Sequence, residues 1–233
     1  QVLRVRGEFA ESIRLAAANL PLHEARYGPD HPEYLGRRTT LGRTLIQAGR
    51  FNEAVELLRP TYEVSAKKLG PEAFATLTAA GFLSDALMGA GESDEAVRYR
   101  KVVAEVREKT LGPNHPQTLI GYTNLGYGLQ LANRLDEAAA VLRLTLERRE
   151  QALGPEHPDV AVSCSILGRN ELLRNDLETA EALLRRAVAI RAKLLPERSG
   201  IRGMSMSVLG EVLWKRGNPA EAEPLLTTGA EWV

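Results

Sequence analysis

The stretch LGPNHPQTL, residues 111–119, decides how this chain is read. A glycine, two prolines, a histidine and an asparagine crowd into it, a mixture that fits an active-site loop, a metal site or a boundary between regular elements. Its words recur. YGPDHPEYL begins at Tyr27, LGPEAFATL at Leu69 and LGPEHPDVA at Leu153, so Gly28, Gly70, Gly112 and Gly154 stand 42 residues apart. A second set keeps the same step: GEFAES from Gly7, GRFNEA from Gly49, GESDEA from Gly91, NRLDEA from Asn133, NDLETA from Asn175 and GNPAEA from Gly217. A third column reads Leu41-Gly42, Leu83-Ser84, Leu125-Gly126, Leu167-Gly168 and Leu209-Gly210. Three columns in one register define a repeat.

The residue types say what each unit is. The marker that opens the second set is always Gly or Asn, the residues that most readily take the left-handed conformation ending a helix. Glu53, Asp94, Asp136 and Glu178 follow, where a new helix N-terminus favours negative charge. Each marker, Gly7 included, is read as a tight turn between two helices. The Gly-Pro of the longer loop closes the second helix, and Pro32, Pro116 or Pro158 suits the first position of the next. One unit therefore holds helix A over about 116–131 and helix B over about 135–152. Tyr122, Leu125, Gly126 and Leu129 share one face of helix A, and Ala138, Val141, Leu142 and Leu146 share one face of helix B. Gly126 and Ala138, with their column mates, allow close approach. A single hairpin could not bury its apolar face, whereas stacked hairpins could.

Composition narrows the function. Thirty basic residues balance thirty acidic ones, which gives no electrostatic footprint for nucleic acid or an anionic membrane. The single cysteine, Cys164, excludes a disulfide framework and a multi-thiolate metal site. No apolar run approaches the roughly 18 residues of a membrane span. With no signal pattern before the first charges, a cytoplasmic location is the default expectation. No P-loop, dinucleotide-binding loop, HExxH or GxSxG motif occurs, so no catalytic residue and no cofactor is assigned. His31, His115 and His157 cannot share a metal. Successive repeats stack about 8–10 Å apart, whereas zinc needs ligands at about 2 Å. These histidines are read as helix-entry residues, and Cys164 as a buried small hydrophobe.

The columns resemble the tetratricopeptide repeat, with Leu-Gly in helix A, Gly in the turn and Glu-Ala early in helix B. The 42-residue step and the LGPxHP loops are similar to the kinesin-light-chain kind, with comparable arrays in bacterial signalling proteins. The resemblance implies an all-α, right-handed α-α superhelical solenoid of helix-turn-helix repeats. It divides the chain into a partial repeat 1–31, full repeats 32–73, 74–115, 116–157 and 158–199, and a partial repeat 200–233. Both ends look cut, so a segment of a larger protein is expected. The resemblance also implies a non-catalytic module whose concave helix-A face takes a peptide or protein.

Helical spacing from the Leu column then selects the groove candidates Thr39 and Arg43; Asp85 and Met88; Thr123, Asn124, Tyr127 and Gln130; Arg169 and Leu172; Glu211 and Trp214. Large aromatics, apolar groups and Arg on a face that could have been uniformly polar suit a peptide. The paired asparagines usual before the Leu column of such repeats are matched only by Asn124. The alternative is a structural or autoregulatory arm of a signalling protein carrying a nucleotide-binding switch or kinase domain, self-associating through uncapped ends. Two prolines, Pro21 and Pro60, fall inside expected B helices, where each costs about 3 kcal/mol or kinks the helix. Gly81, Gly89 and Gly91 are expected to loosen one helix A and its turn.

Overall fold

The computed structural model describes residues 2–196 and 199–232, with side chains from residue 9 onward. All of the described regular structure is helical. Two compact units divide the chain, residues 1–112 and 113–233. The first holds α1 (Val2–Tyr27), α2 (Pro32–Gln47), α3 (Phe51–Leu69), α4 (Phe74–Gly89) and α5 (Ser93–Leu111). The second holds α6 (Pro116–Leu131), α7 (Leu135–Leu153), α8 (Pro158–Leu173), α9 (Leu177–Leu194), α10 (Gly200–Lys215) and α11 (Pro219–Trp232). The A helices start at Pro32, Phe74, Pro116, Pro158 and Gly200, so the sequence period survives as a structural one.

Each A-to-B turn is a Schellman motif. Asn133 takes φ 57° and Asn175 φ 62°, with Gly49, Gly91 and Gly217 also left-handed. The Arg134 N–H reaches back to the Leu129 carbonyl and the Asn133 N–H to that of Gln130, satisfying carbonyls the helix end would orphan. The same pair of bonds recurs at residues 49–50, 91–92, 175–176 and 217–218. The opening stretch proves to be a helix entry. Nδ1 of His115 accepts the Gln117 N–H at 3.2 Å ahead of Pro116, and His31 and His157 do the same for Glu33 and Asp159. Replacing His115 by Ala is expected to lower stability by about 1 kcal/mol in urea unfolding, with Asp restoring most of it.

Packing within a hairpin rests on one knob and one hole. A Cβ on Gly42 would sit 2.5 Å from Leu58, one on Gly126 2.5 Å from Leu142, and one on Gly168 2.8 Å from Leu184. Those leucines are fully buried, sixteen residues after their glycine, and fill the space the missing side chain leaves. Around Leu58 the first unit gathers Ile13, Leu41, Leu45, Val55, Leu83 and Leu87. Around Leu184 the second gathers Leu172, Leu209, Val212 and Leu213. The repeat built on α4 and α5 departs from the pattern: Ser84 replaces the glycine and Arg100 the leucine. Arg100 is nearly buried, and its guanidinium reaches Asp85 at 2.8 Å.

Outside the core, ion pairs tie neighbouring repeats. Arg185 holds Glu221 through two bonds of 2.7 and 2.8 Å, and Arg59 holds Glu95 three repeats earlier in the same columns. Both arginines are partly exposed, so each tie contributes about 1 kcal/mol or less. Cys164 is buried in α8, where desolvation pushes its thiol up to about 11. Iodoacetamide is expected to leave it unmodified in the native protein and to label it fully after urea unfolding.

Two expectations fail here. No turn forms at Gly7, because α1 runs through it. Pro21 and Pro60 sit inside continuous helices. One residue after the carbonyl that Pro60 leaves without a donor, the Leu57 carbonyl accepts from the Thr61 hydroxyl at 2.6 Å and from Arg38 at 3.2 Å. Gly89 does not loosen α4. The Phe51 ring occupies its face, 2.3 Å from where a Cβ would lie.

Candidate functional site

Within the second unit, the A helices α6, α8 and α10 present one face to a cavity of about 420 Å³. Thr123, Asn124, Tyr127 and Gln130 come from α6, and Val162, Ser165, Ile166 and Arg169 from α8. α10 adds Ile201, Met204, Ser205 and Val208, and α9 reaches in with Leu184 and Arg191. The helical pitch explains the set: residues three and four apart on each A helix fall on the side turned away from their own helix B.

The lining divides by what each side chain already does. The Thr123 hydroxyl donates to the Leu119 carbonyl of its own helix at 2.8 Å, so it is spent. Gln130 is nearly buried and its amide donates to the Ile166 carbonyl at 2.9 Å, joining α6 to α8. Tyr127 is 41 % exposed, with Asn124 and Arg169 also open to solvent. Ile201 and Met204 are more than half exposed at the rim. An apolar floor, an aromatic edge and an open guanidinium thus face the same space. Of the remaining candidates in this unit, Leu172 is 6 % exposed and belongs to the core around Leu184. It is corrected from groove to interior: its position turns toward α10, where Leu209 and Leu213 cover it. Glu211 and Trp214 line a second hollow of about 500 Å³ with Ser207, Val208, Lys215 and Leu226. Trp214 is 60 % exposed there, and Glu211 pairs with Lys215 at 3.3 Å.

The first unit offers a smaller hollow of about 330 Å³, in which Thr39 and Arg43 meet Phe74 and Phe82. The Thr39 hydroxyl is committed to the Leu35 carbonyl at 2.9 Å, as Thr123 is. Met88 packs against the hydrophobic interior, and the half-exposed Asp85 pairs with Arg100 at 2.8 Å. Burial raises the Asp85 carboxyl above its ordinary range, against the pull of Arg100. Sequence spacing missed Arg191, which enters from a B helix. A signal existed: Arg107, Arg149 and Arg191 form their own 42-residue column.

The three entry histidines are each occupied in capping their own helix. Among the described residues no group of three or more His, Cys, Asp or Glu side chains is placed to hold a metal. No described helix is long and apolar enough to cross a membrane.

Stacked helix hairpins with Leu-Gly packing and a groove on the A helices define an α-solenoid repeat protein, and comparison with known proteins gives its kind. The tetratricopeptide-repeat family model matches residues 1–67, 75–151 and 129–193, and a related model of that repeat matches 203–226. The chain belongs to the tetratricopeptide-repeat family. It is similar to the nearly identical TPR-like repeats of a Podosopora anserina kinesin-light-chain protein. Identity is 30 % over 87 % of this chain and 96 % of that one, with a TM-score of 0.73. BtubC (BKLC) of P. vanneervenii shares the fold at 17 % identity and a TM-score of 0.71, covering all of this chain and 91 % of its own. Apo RapI does so at 10 % and 0.70, covering 97 % of this chain and 70 % of its own. No curated protein matches.

Proposed function

We propose that the second unit is a non-catalytic recognition module whose α6–α8–α10 face takes a peptide segment of a partner protein. Tetratricopeptide-repeat proteins generally mediate protein–protein interaction, which sets the class. The observation that carries the reading is the exposed Tyr127 standing over apolar side chains beside the open groups Asn124 and Arg169. Aromatic and Arg anchors at the edge of an apolar floor dominate the energetics of peptide recognition.

A displayed random-peptide library selected on the purified chain tests the proposal. Binders that survive selection are expected to lose about 1,000-fold in affinity when Tyr127→Ala and Arg169→Ala are combined, since anchors of this kind contribute about 2 kcal/mol each. Both residues are exposed, so the variant should melt at the wild-type temperature. Selected peptides that bind wild type and variant equally would remove the groove from the reading.

A further inference from the structure

Arg191 carries a charge that no described carboxylate of its repeat answers. It is 8 % exposed, rises from α9 and lines the 420 Å³ cavity. Its hydrogen bonds run through Nη1 alone, to the Ser165 hydroxyl at 2.8 Å, the Ile201 carbonyl at 3.3 Å and the Ser205 hydroxyl. All three acceptors are neutral, and no carboxylate among the described residues pairs with it. Part of this is a structural device. One repeat earlier, Nη1 of Arg149 makes matching bonds to the Asp159 carbonyl at 3.2 Å and the Ser163 hydroxyl at 2.6 Å, tying α7 to α8.

The two repeats differ at one telling position. Beside Arg149 the column residue is Asp159, whose charge favours the guanidinium; beside Arg191 the same column holds Ile201. The counter-charge is thus replaced by an apolar side chain that is 56 % exposed at the cavity rim, next to Met204 at 58 %. Burial opposes the Arg191 charge, the nearby Cys164 favours it only weakly, and no described carboxylate offsets the burial. Arginine stays protonated in proteins, so the site holds a buried cation whose Nε and Nη2 have no protein acceptor among the described residues. A monoanion would satisfy it, and a carboxylate fits the planar fork of a guanidinium. The walls around it, Val162, Leu184, Ile201, Met204 and Val208, are apolar. The volume lies within the usual small-ligand range, about 300–1,000 Å³.

We propose that the cavity between α8, α9 and α10 binds a small apolar carboxylic acid, with the carboxylate on Arg191, Ser165 and Ser205 and the hydrocarbon body against Ile201, Met204 and Val162. This site does not depend on peptide recognition at Tyr127 and Arg169, and its test uses neither residue.

Isothermal titration of the full chain with octanoate and with its neutral counterpart octanamide decides the matter. Octanoate should bind at least about tenfold more tightly, the increment expected of a charge-assisted contact. Arg191→Met should abolish that preference. Because Arg191 also ties α9 to α10, a second variant leaves the tie in place: Ile201→Asp restores the acid of the preceding repeat on an exposed position. It should melt like wild type, yet lose the preference for octanoate over octanamide through its internal counter-charge, a preference that the missing Ile201 side chain alone would leave in place. Equal affinity for acid and amide, or a preference indifferent to Ile201→Asp, would overturn the proposal. So would binding confined to a peptide with a free C-terminal leucine, because the site would then read chain termini rather than free acids. Failure here would leave selection of peptides on Tyr127 untouched.

Discussion

Gly42→Ala is expected to lower the stability of the first unit by about 1–3 kcal/mol, the cost of forcing a methyl into a packed interior. Gly36→Ala, in the same helix, is expected to raise it by about 0.5–1 kcal/mol. The chemistry of the two changes is identical. Their surroundings are not. A Cβ at position 36 meets nothing within 4 Å, so only the gain in helix propensity and the loss of unfolded-state freedom remain. At position 42 it would overlap both methyls and the Cγ of Leu58 at 2.5–2.8 Å, and Leu58 is itself fully buried with no space to retreat into. Urea midpoints at constant slope give both values. A Gly42→Ala protein as stable as Gly36→Ala would mean that the hairpin is not held by this contact.

Leu184→Ala is expected to cost about 3 kcal/mol, within the usual span of about 2–5 for a buried leucine. Leu184 is wholly buried, touches Gly168 and its column, and anchors the cluster that includes Leu172, Leu209 and Leu213. Its cluster draws on four helices, α8, α9, α10 and α11, so a cavity there cannot close by the shift of one element. Leu184 also borders the α6–α8–α10 cavity. The truncation should therefore weaken peptide binding too, but through the floor of the site and by less than the combined loss of Tyr127 and Arg169. A loss under about 1 kcal/mol would place Leu184 in a site that collapses freely, contrary to the packing described.

Periodicity made the helices legible and local chemistry made their ends legible. The α6 and α7 limits agree with the spans read from the Gly, Asn and Pro columns because those residues impose the backbone conformations that end and begin helices. Gly7 carries the same letter without the same result, because α1 runs through it unbroken. Pro21 and Pro60 lie inside continuous helices.

The site was legible as a face but not as a set of functions. Spacing found the α6 and α8 residues of the cavity, and could not tell that the hydroxyls of Thr39 and Thr123 turn back on their own helices. Nor could it separate Leu172 from Arg169, three residues apart on one helix, because the next repeat alone decides which of them is covered. Arg191 lay outside a search confined to A helices.

The most direct measurement is a double-mutant cycle on Gly126 and Leu142, whose Cβ and Cδ2 would stand 2.5 Å apart. If each hairpin closes by seating that leucine on that glycine, Gly126→Ala should destabilise the wild type yet cost nothing, or even stabilise, once Leu142 is Ala. The coupling should exceed about 1 kcal/mol. Additive losses would show that the two residues do not meet, and the knob-and-hole basis of the repeat would be wrong.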